Sequence, residues 1–249
     1  MMLIILFTSV ILAGFISEIF KRKIEKLKEF IISYSVSIVL TLICIHILPE
    51  IFSNNIEIGY YILAGFLIQI LLELLSKGIE HGHIHVHGKI TNHQLLVIFI
   101  GLSIHSFIEG LPVNTIEHLH HNHNLHNNNI EYINNFSWIY LLTILIHKLP
   151  IAAVLMFFLN SNGLNKIKKY GLLFIFAATA PLGAILGEEL LKFSFFNDWS
   201  IKFLAISSGM LLHITTLLIF EDHHHSNKKI KNLITISIGI ITGSLICSF

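Results

Sequence analysis

Eight stretches of the chain are almost continuously apolar: residues 1–20, 30–51, 57–76, 93–114, 136–159, 170–191, 200–220 and 231–249. Short polar segments separate them. A helix rises about 1.5 Å per residue, so about 20 apolar residues match a hydrocarbon core of about 30 Å. The pattern predicts an all-α membrane protein of eight transmembrane helices, with residues 1–249 forming a single transmembrane domain. The first stretch has no positive charge ahead of its apolar run, and Lys21, Arg22 and Lys23 follow it. That is the flank of a retained span rather than of a cleaved leader.

Composition supports the same class. The chain is 54% hydrophobic and 12% charged, with mean hydropathy +0.75, whereas a soluble domain carries about 25% charged residues. Of the 16 lysines and arginines, 13 fall in residues 21–29, 77–92, 160–169 and 221–231, which are alternate connections. Lys192 and Lys202 edge another connection, and Lys148 lies within the fifth stretch. By the positive-inside rule the basic connections are cytoplasmic and both termini extracytoplasmic. The net charge of +1 says nothing about nucleic acid, but no basic block is interleaved with aromatics, so no nucleic-acid partner is expected. Cys44 and Cys247 lie in apolar runs outside any CxxC, so they form neither a disulfide framework nor a thiolate metal site.

Ionisable residues inside the apolar stretches carry the chemistry. The fourth stretch, HQLLVIFIGLSIHSFIEGLPVN, holds His105, Ser106 and Glu109 past its middle. Residues 105 and 109 are one helical turn apart on one face. An ionisable group at such depth costs about 2.5–3.5 kcal/mol, so it needs a partner or a function. Two readings follow: a His–Glu bond that locks helices together, or an ion site. The fifth stretch carries His147 near its middle, followed by Lys148 and Pro150. Spans four and five run in opposite directions, so His105, Glu109 and His147 could converge near the bilayer midplane. Two imidazoles and a carboxylate suit a borderline divalent ion. Pro112 and Pro150 are expected to bend both helices beside the site. Lys148 is a cation beside a cation site, which can snorkel, pair with Glu109 or repel a second ion.

Span two ends in HILPE, where His46 and Glu50 form either a vestibule for entering cations or an interfacial pair. His213 reads as a satisfied core histidine, and Glu188 and Glu189 near Lys192 as a solvated helix end. Segment 80–89 presents His81, His83, His85 and His87 at every second position, as a cytoplasmic loop able to bind metal weakly and regulate. Segment 117–129 carries His118, His120, His121, His123 and His126 among asparagines, and 221–225 adds a smaller cluster.

HILPE, HSFIEGL (105–111), HKLP (147–150) and PLGAILG (181–187), in this order and topology, resemble the ZIP (Zrt/Irt-like) divalent metal transporters. The resemblance implies a ZIP-type eight-helix bundle, often dimeric, in which a four-helix transport block slides against a scaffold. It implies uptake of zinc, or next iron(II), into the cytoplasm between helices four and five. Carried over by position, His105, Glu109 and His147 would be ligands, with Ser106 where some members hold a second metal. The ion is the transported substrate, with no prosthetic group. The implied partners are divalent ions, the lipid bilayer and a second copy of the chain. The expected location is the plasma membrane, with an organelle membrane as the alternative. Lys148 and Ile151 stand where two-metal members carry acids, and Ala180 precedes the helix-six proline. One ion at a time is therefore expected. A membrane metalloenzyme and a non-transporting metal sensor are the rival classes. The chain has no HExxH and no Ser/His/Asp order, so no enzymatic activity is expected.

Overall fold

The computed structural model describes residues 1–54, 56–76, 91–116, 129–221 and 226–248. His81, His83, His85 and His87, the histidines of 117–128 and those of 223–225 lie outside the described residues. The elements are α1 (Met2–Ile19), α2 (Lys21–Leu42), a π turn (Ile43–Ile47), α3 (Leu48–Asn54), a 3-10 turn (Ile56–Ile58), α4 (Gly59–Ser76), α5 (Asn92–Gly110), α6 (Asn129–Ser161), α7 (Lys166–Leu191), α8 (Trp199–Glu221) and α9 (Ser226–Cys247). The described residues contain no strand, and eight helices are long and apolar enough to cross a membrane. The α2, π-turn and α3 segments together make the second of them.

Local chemistry sets several boundaries. Thr91 accepts from the Gln94 amide at 3.2 Å while Gln94 Oε1 accepts from the Thr91 amide at 2.9 Å. This capping box starts α5 sharply by satisfying two donors that a helix N-terminus leaves open. Asn165 caps α7 by accepting from the Lys168 amide at 2.9 Å. The π turn ends two residues before Pro49, whose ring would clash with the carbonyl four residues back in a regular helix.

One expectation is corrected. The fourth span ends at Gly110 rather than 114, and Pro112 does not bend it. Leu111–Thr115 instead forms a turn, with the Thr115 and Ile116 amides each 3.0 Å from the Pro112 carbonyl. Pro112 has no N–H to donate to the Ile108 carbonyl, so the helical ladder stops at Gly-Leu-Pro although Leu111 itself keeps helical dihedrals. Pro150 does lie inside α6, and Pro181 inside α7.

The helices sort into two groups. In one, α4 packs on α8 and α2 on both α8 and α9; in the other, α5 packs on α7, and α1 on α6 and α7; α2 also packs on α6, joining the two. Lipid tails are as apolar as leucine, so close van der Waals fit of small residues does most of the work between helices. A Cβ at Gly183 would stand 2.0 Å from the Phe107 carbonyl oxygen, which lets α5 and α7 approach backbone to backbone. Gly209 plays this part between α8 and α4, where a Cβ would stand 2.0 Å from the Ile62 carbonyl oxygen. At one end of the second group, Glu18 of α1 pairs with Lys169 and accepts from Tyr170 of α7, and Lys169 reaches Asn160 of α6 at 2.8 Å. The exposed faces are apolar, as with Leu63, Leu67, Leu71 and Leu74 along α4, while Gln69, Glu109 and Lys148 are buried. That inversion is what a hydrocarbon solvent selects.

Candidate metal centre

Three side chains from α5 and α6 meet in the interior. His105 and Glu109 occupy successive turns of α5 and His147 faces them from α6; they are 1%, 0% and 3% exposed. His105 Nε2 lies 2.8 Å from Glu109 Oε1, His147 Nε2 lies 3.5 Å from the same oxygen, and the two Nε2 atoms are 3.4 Å apart. Donors about 2.0–2.1 Å from a tetrahedral zinc stand about 3.3–3.4 Å from one another. Two of the three separations already match. An ion would widen the His105–Glu109 contact by about 0.5 Å to complete three corners of the tetrahedron. His105 Nε2 at 2.8 Å and Lys148 Nζ at 4.0 Å stand beside the two Glu109 oxygens, and neither oxygen has a full hydrogen-bond shell among the described residues. A buried carboxylate in that condition is costly unless a cation completes its shell.

The fourth expected residue, Ser106, is engaged elsewhere. Lys148 Nζ donates to Ser106 Oγ at 2.5 Å, and Ser106 Oγ lies 2.5 Å from Thr179 Oγ1, which donates to the Phe176 carbonyl at 2.7 Å. The Thr179 hydrogen is committed to that carbonyl, so the Ser106 hydroxyl donates to Thr179 and its lone pairs receive the ammonium. Lys148 is 2% exposed, and its Nζ rests 4.0 Å from Glu109 Oε2 and 5.9 Å from the centre of the Phe176 ring. The lysine therefore points inward, with a fixed positive charge on the Oε2 side of the carboxylate whose Oε1 faces the histidines.

Residues outside the expected set complete the surroundings. Gln69 of α4 is fully buried, with Oε1 2.8 Å from His105 Nδ1. Tyr140 donates to the Glu109 carbonyl at 3.0 Å and lies 2.8 Å from Ser207 Oγ. One sequence signal marks Gln69: with Glu73 it is a polar pair one turn apart in the otherwise apolar run of α4. Glu73 pairs with His213 at 2.7 Å, and the Phe66 ring meets His213 edge-on, so His213 sits in a satisfied environment away from the triad.

His46 and Glu50 are not brought to the triad. The π turn rotates His46 so that its ring stacks on Phe136 of α6, with centroids 5.0 Å apart and planes 27° apart. Its Nε2 is buried without a partner among the described residues. Phe136 precedes His147 by 11 residues, or about 16 Å of helix. A cleft reaches His147 from the other direction, between α2, α6 and α8, lined by Ser35, Val36, Ile151, Val154 and Leu218. Toward Phe136, Ile116, Tyr140 and Ile144 are fully buried among the described residues.

Residues 79–249 match the family model described as ZIP zinc transporter. The chain is a member of the ZIP family. The match covers α5 to α9 and every residue of the triad. No curated protein and no solved structure gives a significant match to the chain. ZIP proteins are transporters that carry metal ions as substrates, and the chain is an integral, multi-pass membrane protein of this kind.

Proposed function

We propose that this ZIP protein carries one divalent ion at a time, zinc first and iron(II) next, into the cytoplasm through a site formed by His105, Glu109 and His147. The carrying observation is the donor spacing: two nitrogens 3.4 Å apart, with one carboxylate oxygen 2.8 and 3.5 Å from them. Imidazole and carboxylate suit a borderline cation such as zinc. Three protein donors leave a position for water, and a shell that small favours release over tight retention.

Lys148 supports the limit to one ion. Its ammonium occupies the side of Glu109 where a second cation would stand, and Ser106 holds the lysine instead of a metal. Direction rests on charge and access. The cleft at His147 lies toward the Ser161 end of α6, the end from which the chain runs on into the basic segment of Lys166, Lys168 and Lys169. Positive-inside placement makes that end cytoplasmic and both termini extracytoplasmic. His46 and Glu50, at the opposite end, form the vestibule in this reading. We propose further that residues 1–249 are one domain, because α2 packs on α6 and α4 on α5, which joins the two helix groups. The plasma membrane is the proposed location.

Competitive uptake of Zn²⁺, Fe²⁺, Mn²⁺ and Cd²⁺ into proteoliposomes, by the native chain and His147→Ala, tests the reading. Zinc-preferring flux that disappears in the variant is expected. Flux by a correctly inserted variant equal to the native chain would overturn the site assignment.

A further inference from the structure

We infer that Gln69 is a positioning residue for ion binding: its side-chain oxygen sets the tautomer and ring orientation of His105. The inference rests on the proposed His105–Glu109–His147 site. An imidazole offers an ion only the nitrogen that carries no proton, and the partner of the other nitrogen decides which one that is. Gln69 Oε1 is an acceptor only, so at 2.8 Å it holds the proton on His105 Nδ1. The Nε2 edge then faces Glu109 Oε1 and His147 Nε2 at 2.8 and 3.4 Å, where the ion belongs.

Placement adds to the chemistry. Gln69 is fully buried within an apolar helix, a position where an amide is expensive unless it is bonded. It comes from α4, which packs chiefly on α8, whereas His105 belongs to α5, which packs chiefly on α7. The Gln69–His105 bond thus links one helix group to a ligand carried by the other. Without the acceptor, His105 could place its proton on Nε2 and turn that edge from donor atom to obstacle.

The test uses the full chain in detergent and in proteoliposomes, with Zn²⁺ and Co²⁺ as probes. Gln69→Met preserves length and apolar fit but lacks a strong acceptor. Gln69→Glu keeps the acceptor in the same place. We expect Gln69→Met to weaken Zn²⁺ binding about 10–100-fold, raising KM more than it lowers the maximal rate. Gln69→Glu should stay within about threefold of the native affinity, a retention expected of a carboxylate–histidine–zinc arrangement. In the ion-free chain Glu109 Oε1, 2.8 Å from Nε2, competes for the proton, so ¹⁵N spectra should show Nδ1 protonated in the native chain and the ring proton moved to Nε2 in Gln69→Met alone. Native affinity in folded Gln69→Met, or equal loss in both variants, would overturn the inference. His105→Ala separates the layers: binding unaffected by His105→Ala sinks the proposed site, whereas loss in His105→Ala with none in Gln69→Met sinks only the role of Gln69.

Discussion

His105 and His147 face each other across α5 and α6 with their Nε2 atoms 3.4 Å apart, and the Glu109 carboxylate closes the third side. The residues are 42 positions apart in sequence and almost completely excluded from the surface. Either alanine substitution removes one donor and leaves the helix backbone intact. His105→Ala and His147→Ala should therefore each reduce ion uptake to the level of empty vesicles while the chain still inserts and elutes as a single species. Parallel uptake and size-exclusion measurements check this.

Lys148 contributes a positive charge that no released ion can carry away. Lys148→Asp would remove it and add two oxygens beside Ser106 and Glu109, an oxygen-rich set that can hold a second cation. The expected ion count rises from one to two per chain, read by elemental analysis of the purified variant. Lys148→Met should leave the count at one, because it removes the charge without supplying a donor. A count of one in folded Lys148→Asp would show that the lysine does not stand in for an ion.

At the α5–α7 contact, backbone meets backbone at Gly183. Gly183→Leu places a side chain where the Phe107 carbonyl already lies 2.0 Å from the new Cβ. The helices must separate, and overpacking of this type costs about 1–3 kcal/mol or more. A lower unfolding temperature and lost uptake are expected together, since α5 carries His105 and Glu109. Gly163→Ala, in the turn before α7, has open space around it but a φ of 66°, so backbone strain alone should lower stability by about 1–2 kcal/mol without loss of the site.

Replacing His81, His83, His85 and His87 with alanine should leave ion transport in place and change its apparent affinity or regulation. The three residues of the proposed site come from α5 and α6, outside that segment. Uptake titrations on the tetra-substituted chain check this; complete loss of flux from inserted protein would assign the loop a direct part in conduction.

The eight spans were legible in the sequence because bilayer thickness imposes a length and an apolar composition on each crossing, and both are properties of consecutive residues. The pairing of His105 with Glu109 was legible for a related reason: helical spacing places residues four apart on one face. His147 could be assigned to a middle depth in the same way. Chain order alone does not say how far a helix rotates about its own axis, so the approach of His147 to within 3.4 Å of His105 became visible only when α6 packed. Boundaries set by caps and turns also moved: Gly110 and Pro112 ended α5 earlier than its apolar run, and the π turn before Pro49 redirected His46 onto Phe136.

What the sequence determined by itself is the class of molecule, the order of its spans and the residue types available for an ion, since these follow from local composition and from periodicity along one helix. What only the tertiary structure decided is which buried groups meet. The Gln69 contact to His105, the Lys148–Ser106–Thr179 chain and the Glu73–His213 pair each join different helices. Such contacts depend on helix rotation and approach distance, which small residues such as Gly183 and Gly209 set through backbone contact and which no single stretch of chain encodes.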